Sequence, residues 1–214
     1  LANCEEGDCG QRGLDKAVTS IMSADFSDVP LSDVLDFAAV HPLAWIVPAA
    51  APSTAMLMPL LIETDGEGKP AFVLGHLPRR AEATEVLLQD GSAVFLFLGA
   101  NAYIQPAWIS KPGWAPTWNF LALKISATDT HVHETLTRPA VETLVNQMER
   151  RSGSGWTVER IGPRYEKLLG AIIGFRASVE TIEPRFKLGQ DETDTARDEI
   201  MNALADHPLS RWME

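Results

Sequence analysis

The sequence has little cysteine, a shortage of positive charge and no long apolar run. Its two cysteines, Cys4 and Cys9, both fall in the first ten residues. A Cys-x4-Cys pair can close a small loop or supply half a metal site, but no second Cys/His pair lies nearby to complete a zinc site. We read them as two thiols in a flexible tail over residues 1–23. With no cysteine elsewhere, no disulfide framework is implied. The longest apolar run, Ala93 to Ala100, falls well short of the roughly 20 residues a membrane-spanning helix needs. Residues 1–23 carry no apolar core between a basic start and a cleavage site, so a cytoplasmic protein without a secretory leader is expected. The 18 Lys and Arg stand against 29 Asp and Glu, a formal net charge of −11. Phosphate backbones need positive faces, so a broad nucleic-acid surface and direct DNA binding are disfavoured. Gly-x-Gly-x-x-Gly, the P-loop and Gly-x-Ser-x-Gly are also missing, which argues against a Rossmann dehydrogenase, an ordinary ATPase and an α/β-hydrolase.

What remains is an ordinary globular composition, 45% hydrophobic and 22% charged, in 214 residues. Short apolar runs of strand length recur at Leu43–Val47, Ala55–Ile62, Ala71–Leu74, Ala93–Leu98, Trp118–Ser126 and Phe175–Ile182. Asp65-Gly66-Glu67-Gly68 between the second and third reads as a hairpin turn. Helical spacing appears over Ser32–Ala39 (Ser32 as N-cap, His41-Pro42 as stop), Arg80–Gln89, Pro139–Arg151, Tyr165–Ile172 and Glu192–Ala205. Short strands broken by a few helices predict a mainly β fold with added helices, an α+β barrel of antiparallel strands. The expected partition is a tail at 1–23, one domain over 24–190, and an acidic helix and tail over 191–214.

Two segments carry candidate chemistry. In Gly75-His76-Leu77-Pro78-Arg79-Arg80 a strand ends and Pro78 suits the first turn of the next helix. Backbone N–H groups at a helix start, two guanidinium groups and an imidazole together favour an anion, and Gly75 lets a ligand approach the backbone. The same arginines can instead decorate a surface helix. The second segment, Gly99 to Phe120, gathers Tyr103, Trp108, Trp114 and Trp118 among prolines. Flat rings with fixed donors suit a planar heteroaromatic ligand; a tryptophan-rich core or dimer interface is the competing reading. Thr117 and Asn119 alternate with Trp118, so hydroxyl and amide share one strand face. His131-x-His133-Glu134 offers metal ligands on one face but has no third or fourth ligand at a known spacing, and an exposed polar strand explains it more simply. No metal site is expected, and no convincing catalytic acid or base stands out.

The order of these pieces resembles the PaiB-like family, the FMN-binding negative transcriptional regulators. The resemblance rests on His41-Pro42-Leu43-Ala44, Gly75-His76, Ala102-Tyr103-Ile104-x-Pro106-x-Trp108, Pro116-Thr117-Trp118-Asn119, Gly170-x-x-x-Gly174-Phe175 and Lys187-Leu188-x-Gln190, over about Phe26 to Leu204. It implies an FMN-binding split β-barrel, related to pyridoxamine-phosphate oxidase-like flavoproteins, that dimerises with the flavin between subunits. It would place the phosphate near His76, Arg79 and Arg80, and the ring near Tyr103, Trp108 and the Thr117-Trp118-Asn119 strand. Lys187 and Gln190 would close over the site. The chain departs from the family pattern where Met56-Leu57-Met58-Pro59 replaces a histidine-bearing strand and where Ala81-Glu82 replaces Asn-Pro. The readings carried forward are a flavin-dependent oxidoreductase or flavin-linked regulator, a regulator of transcription acting indirectly, and a non-catalytic dimer binding another planar ligand such as haem.

Overall fold

The structure, a computed structural model, describes residues 25–214; Cys4, Cys9 and the expected 1–23 tail lie outside them. Six strands close into an antiparallel barrel: β1 (Leu43–Pro48), β2 (Met56–Thr64), β3 (Pro70–Pro78), β4 (Ala93–Ile104), β5 (Thr117–His133) and β6 (Ile172–Lys187), in the spatial order β1-β2-β3-β6-β5-β4. Closure leaves no unpaired sheet edge. This is the mainly β barrel with added helices that the sequence predicts. The strands at Asp65–Gly68 are joined by the expected hairpin, with Asp65 N–H donating to the Lys69 carbonyl and Gly68 at φ 80°.

Alternation sets the inside of the barrel. Ile46, Leu60, Val73, Phe95, Leu121, Leu123, Ile125 and Phe175 point inward and form one core. The Phe95 and Phe175 rings stack across it at 6.0 Å. Gly75 belongs to this interior. A Cβ there would lie 2.7 Å from Leu60 and 2.8 Å from Phe175, so the glycine makes room for core side chains rather than for a ligand.

Among the described residues, five helices decorate the barrel: α1 (Leu31–Val40), α2 (Glu82–Gln89), α3 (Thr137–Ser152), α4 (Arg164–Leu169) and α5 (Asp194–Ala203). Helix α1 is capped by Pro30 without a side-chain bond, so Ser32 lies inside the helix rather than at its cap; burial of Val34, Phe37 and Ala38 holds it, and His41 ends it as expected. Pro78 closes β3 instead of opening α2, whose N-cap is Ala81. Pairing of Ile172 with Pro78 claims that residue for β6, so α4 stops at Leu169. Beyond α5 the chain folds back onto the core: Ile200, Leu204, Leu209 and Met213 are buried in it. Trp212 packs edge-on against Phe37 and Phe186. The stretch expected as a C-terminal tail is therefore a packed end of the barrel.

Candidate functional site

The outward face of β4, β5 and β6 forms an open groove of about 1110 Å³. Register builds it. Leu96 of β4 lies opposite Lys124 of β5, which lies opposite Glu183 of β6; one row along, Leu98, Ala122 and Arg185 line up the same way. Lys187 lies opposite Phe120. Because strand residues two apart share a face, Glu183, Arg185 and Lys187 all project from the same side of β6. One half of the groove is thus apolar and the other charged, with Lys124, Arg185 and Lys187 set among Asp25, Glu183 and Asp191. Phe26 straps the charged half: its carbonyl accepts the Phe186 N–H at 2.9 Å, and its ring lies 5.6 Å from both the Arg185 guanidinium carbon and Lys187 Nζ.

The charges in the groove are not equivalent. Lys124 pairs with Glu183 at 2.7 Å, and that bond holds the Glu183 carboxyl below its usual range. Asp25, also in the groove, is lowered by bonds from the Ser27 hydroxyl and N–H. Asp191 is the third acid. Among the described residues, Arg185 and Lys187 have no carboxylate within ion-pair distance; Lys187 Nζ donates to Thr117 Oγ1 at 2.9 Å. Among the described residues, no histidine or cysteine lines the groove.

The structure does not gather the ten sequence-predicted residues in one place. Lys187 and Thr117 meet at the groove. Tyr103 and Trp118 face each other across β4 and β5 with centroids 5.8 Å apart, both exposed. Gln190 staples the chain just past β6, its amide bonded to the Leu188 N–H and the Phe186 carbonyl at 2.6 Å each. Asn119 faces the opposite way: it is 1% exposed, points into the barrel, and neither amide atom has a hydrogen-bond partner. It therefore lies on the face opposite Trp118, as the alternation of Thr117 and Asn119 with Trp118 predicts. Trp108 sits in a one-turn helix, Pro106–Trp108, packed against the core.

His76, Arg79 and Arg80 lie at the other end of the 16-residue β6, next to Ile172 and Gly174. Arg79 is already engaged: Nε donates to the Gly170 carbonyl at 3.0 Å, Nη2 to the Ile172 carbonyl at 2.6 Å, and Nη2 pairs with Glu134 at 2.7 Å. It latches the turn after β3 to the entry of β6. Arg80 is exposed in that turn, ahead of the Ala81 cap. The first turn of α2 carries Glu82 and Glu85, which complement the helix dipole without a bound anion. Of the groups expected at this helix start, Arg79 is engaged by the protein's own groups while Arg80 is exposed. His76 is half-buried with Nδ1 unpartnered, and burial pushes its pKa down. His131 and His133 are exposed on β5 with rings stacked at 5.4 Å. Among the described residues no three His, Cys, Asp or Glu converge as a metal site, and no helix is long and apolar enough to cross a membrane.

Arg185 and Lys124 were not singled out by sequence. The signal was present in Glu183-Pro-Arg185-Phe-Lys187, where charged residues alternate with apolar ones. It becomes readable only once β6 is known to extend past Ile182.

Among the described residues the β4–β5–β6 face is thus open, part apolar and part lined by charges of both signs. Residues 21–181 match the family described as "Putative FMN-binding domain". A curated relative, protease synthase and sporulation protein PAI 2 of Bacillus subtilis, is 26% identical over 140 residues. That match spans 62% of this chain and 63% of the relative, less than two thirds of its length. Two solved structures share the fold. The FAD and heme binding protein from Mycobacterium smegmatis has TM-score 0.55 at 13% identity, covering 81% of this chain and 78% of that one. The flavocytochrome Anf3 from Azotobacter vinelandii has TM-score 0.54 at 13% identity, covering 82% and 79%. The chain belongs to the PaiB-like FMN-binding domain family, with the split-barrel fold, and FMN is the cofactor that membership gives it.

Proposed function

We propose that the β4–β5–β6 groove is the seat of FMN, with the phosphate on Arg185, Lys187 and Lys124 and the ring system running over Leu96, Leu98 and toward Tyr103 and Trp118. The observation that carries this reading is the pair Arg185 and Lys187, side by side on one strand face with no carboxylate partner among the described residues, next to uncovered leucines. The residues fit the ligand. Cations with several donors suit a phosphate, and an apolar sheet surface suits an isoalloxazine ring.

The same face is the proposed contact with a second copy. Leu57, Trp45 and Leu96 form one outward row across β2, β1 and β4, flanked by Leu98, which is 62% exposed. A connected apolar sheet face of this kind marks an interaction surface. A second copy laid over it covers both the leucines and the flavin, joining the two expectations of homodimer and interfacial cofactor.

When bound, FMN supplies the redox chemistry. The groove's own groups bind and orient it. Among the described residues the groove holds no histidine or cysteine, and the Glu183 and Asp25 carboxyls lie below their usual range. Electron transfer through the flavin, or a regulatory response to the flavin's binding, is the proposed output. The acidic chain favours an indirect regulatory role over direct contact with DNA. Titration of the purified protein with FMN, followed by flavin fluorescence and by molecular mass in solution, tests the reading. Saturable binding to a dimer supports it. Absence of binding at millimolar FMN refutes it.

A further inference from the structure

We propose that the C-terminal segment, residues 204–214, is a lid on the barrel end that opens when His41 takes up a proton. The segment follows α5 and is seated through Leu204, Leu209 and Met213, which are buried in the core. Its outer hold is an ion pair from Arg211 to Asp36 of α1 at 2.8 Å. Both partners are about half exposed, so that clasp is readily exchanged.

His41 lies where the lid meets α1. Its ring packs against Phe37 and Trp212, with centroids 5.3 and 6.5 Å away. It also lies on β4 at Gly99, where a Cβ would come 3.2 Å from Nε2. Nε2 is buried and has no hydrogen-bond partner among the described residues. A neutral imidazole can leave one ring nitrogen unpaired, but an imidazolium carries a charge and two N–H donors. The charged groups acting on His41 are Arg211 of the lid, Arg151 of α3 and Asp36 of α1. Gly99 brings no charge. Asp36 is already shared by the two guanidinium groups, at 2.8 and 3.6 Å. A proton on His41 therefore places a third cation beside Arg211 and leaves a buried N–H unsatisfied. Burial first, then the two arginines, hold its pKa below the ordinary histidine range while the lid is shut. Lifting the lid removes Arg211 and Trp212 and admits water. The open state thus binds the proton more tightly, and acid favours opening.

The lid also covers other unpaired polar groups. Arg197 Nη2 donates to the Met213 carbonyl, while its buried Nε has no partner among the described residues. The unpartnered Asn119 amide and the Met213 methyl both border Gly189, where a Cβ would lie 3.6 Å from Asn119 Nδ2 and 3.9 Å from Met213 Cε. Unpaired buried groups oppose closure, because water satisfies them once the lid lifts. Such a segment opens locally, at lower free energy than the barrel beneath it.

Hydrogen exchange read by mass spectrometry on the full chain at pH 7.5 and 5.5, corrected for the intrinsic pH dependence of exchange, tests the proposal. With an ordinary histidine pKa near 6.5 in the open state, the open population rises about tenfold between the two. Protection is expected to fall by about that factor at His207, Ser210, Trp212 and Met213, whose N–H groups bond within the segment, and to hold on β3 and β6. His207 is the other histidine to separate, since its Nδ1 accepts the Leu209 N–H inside the lid. His41→Phe and His41→Gln are expected to keep lid protection at pH 7.5 and to lose the fall at pH 5.5; His207→Gln is expected to retain the fall. Three results overturn the proposal: no fall in the wild type, the same fall in both His41 variants, or an equal fall on the barrel strands, which marks global unfolding.

Discussion

Gly174 leaves the least room for a Cβ among the described glycines, and the effect of adding one can be worked from distances. It lies on β6 opposite His76 and His133, where the chain leaving β5 crosses over the sheet. A Cβ at position 174 would lie 2.3 Å from the Leu136 carbonyl carbon, 2.4 Å from its oxygen and 2.5 Å from the Thr137 nitrogen. Carbon atoms prefer about 3.5–4.0 Å, so the crossing backbone must move by about 1 Å or more. All three atoms are main chain, so no rotamer change relieves the clash. The shift also breaks the buried bond from the Gly174 N–H to Thr137 Oγ1 at 3.0 Å. Overpacking costs about 1–3 kcal/mol and the lost bond about 1 kcal/mol, giving about 2–4 kcal/mol for Gly174→Ala. At about 2–4 °C per kcal/mol for a chain of this size, Tm falls by about 5–15 °C. Gly66→Ala is the control, since a Cβ there meets nothing within 4 Å. Urea and thermal unfolding measure both. A Gly174→Ala protein within about 0.5 kcal/mol of wild type would refute the reasoning.

Arg79→Ala should destabilise the fold by about 1–2 kcal/mol while leaving FMN affinity within about twofold, because the side chain holds backbone carbonyls rather than ligand. Denaturation together with FMN titration checks this; a large affinity loss with unchanged stability would contradict it. Leu209→Ala should cost about 2–4 kcal/mol, since Leu209 is fully buried and seats the C-terminal segment in the core; a neutral effect in urea unfolding would show that segment to be dispensable. Trp45→Glu should convert a dimer to a monomer in a light-scattering mass measurement, and an unchanged mass would exclude this face as the contact. Burial lowers the pKa of both His76 and His41. The unfolded chain then binds more protons than the folded one, so stability is full above the ordinary histidine range near 6.5 and falls as pH drops below it. His76→Leu should flatten the urea midpoint between pH 7.5 and 5.5 by up to about 1.4 kcal/mol per pH unit, and an unaltered slope would rule out its titration.

Much of the barrel was legible because short apolar runs of strand length, bounded by turn residues, mark its strand centres. The six strand centres and the Asp65–Gly68 hairpin follow from them directly. Strand ends did not. β5 runs on to His133 through polar residues that satisfy their backbone groups by pairing with β6, a non-local benefit invisible in a local window. Pro78 shows the same limit: its ring suits a helix start and a strand end equally, and pairing with Ile172 decides. The site was partly legible. Lys187 and Thr117 meet, while the bonds of Arg79 to Gly170, Ile172 and Glu134 were hidden because those partners are remote in sequence. Alternation placed Asn119 opposite Trp118 correctly, but not that its amide would be buried inside the barrel without a partner. Gly75 and Gly174, which carry part of the family resemblance, are explained by packing alone.

The account's central claim is where the phosphate sits, and a crystal structure of the FMN complex tests it most directly. The prediction is a phosphate within hydrogen-bond distance of Arg185 and Lys187, on the outer face of β6 and beside Lys124. A phosphate bound to Arg79 and Arg80, at the opposite end of that strand, would contradict it.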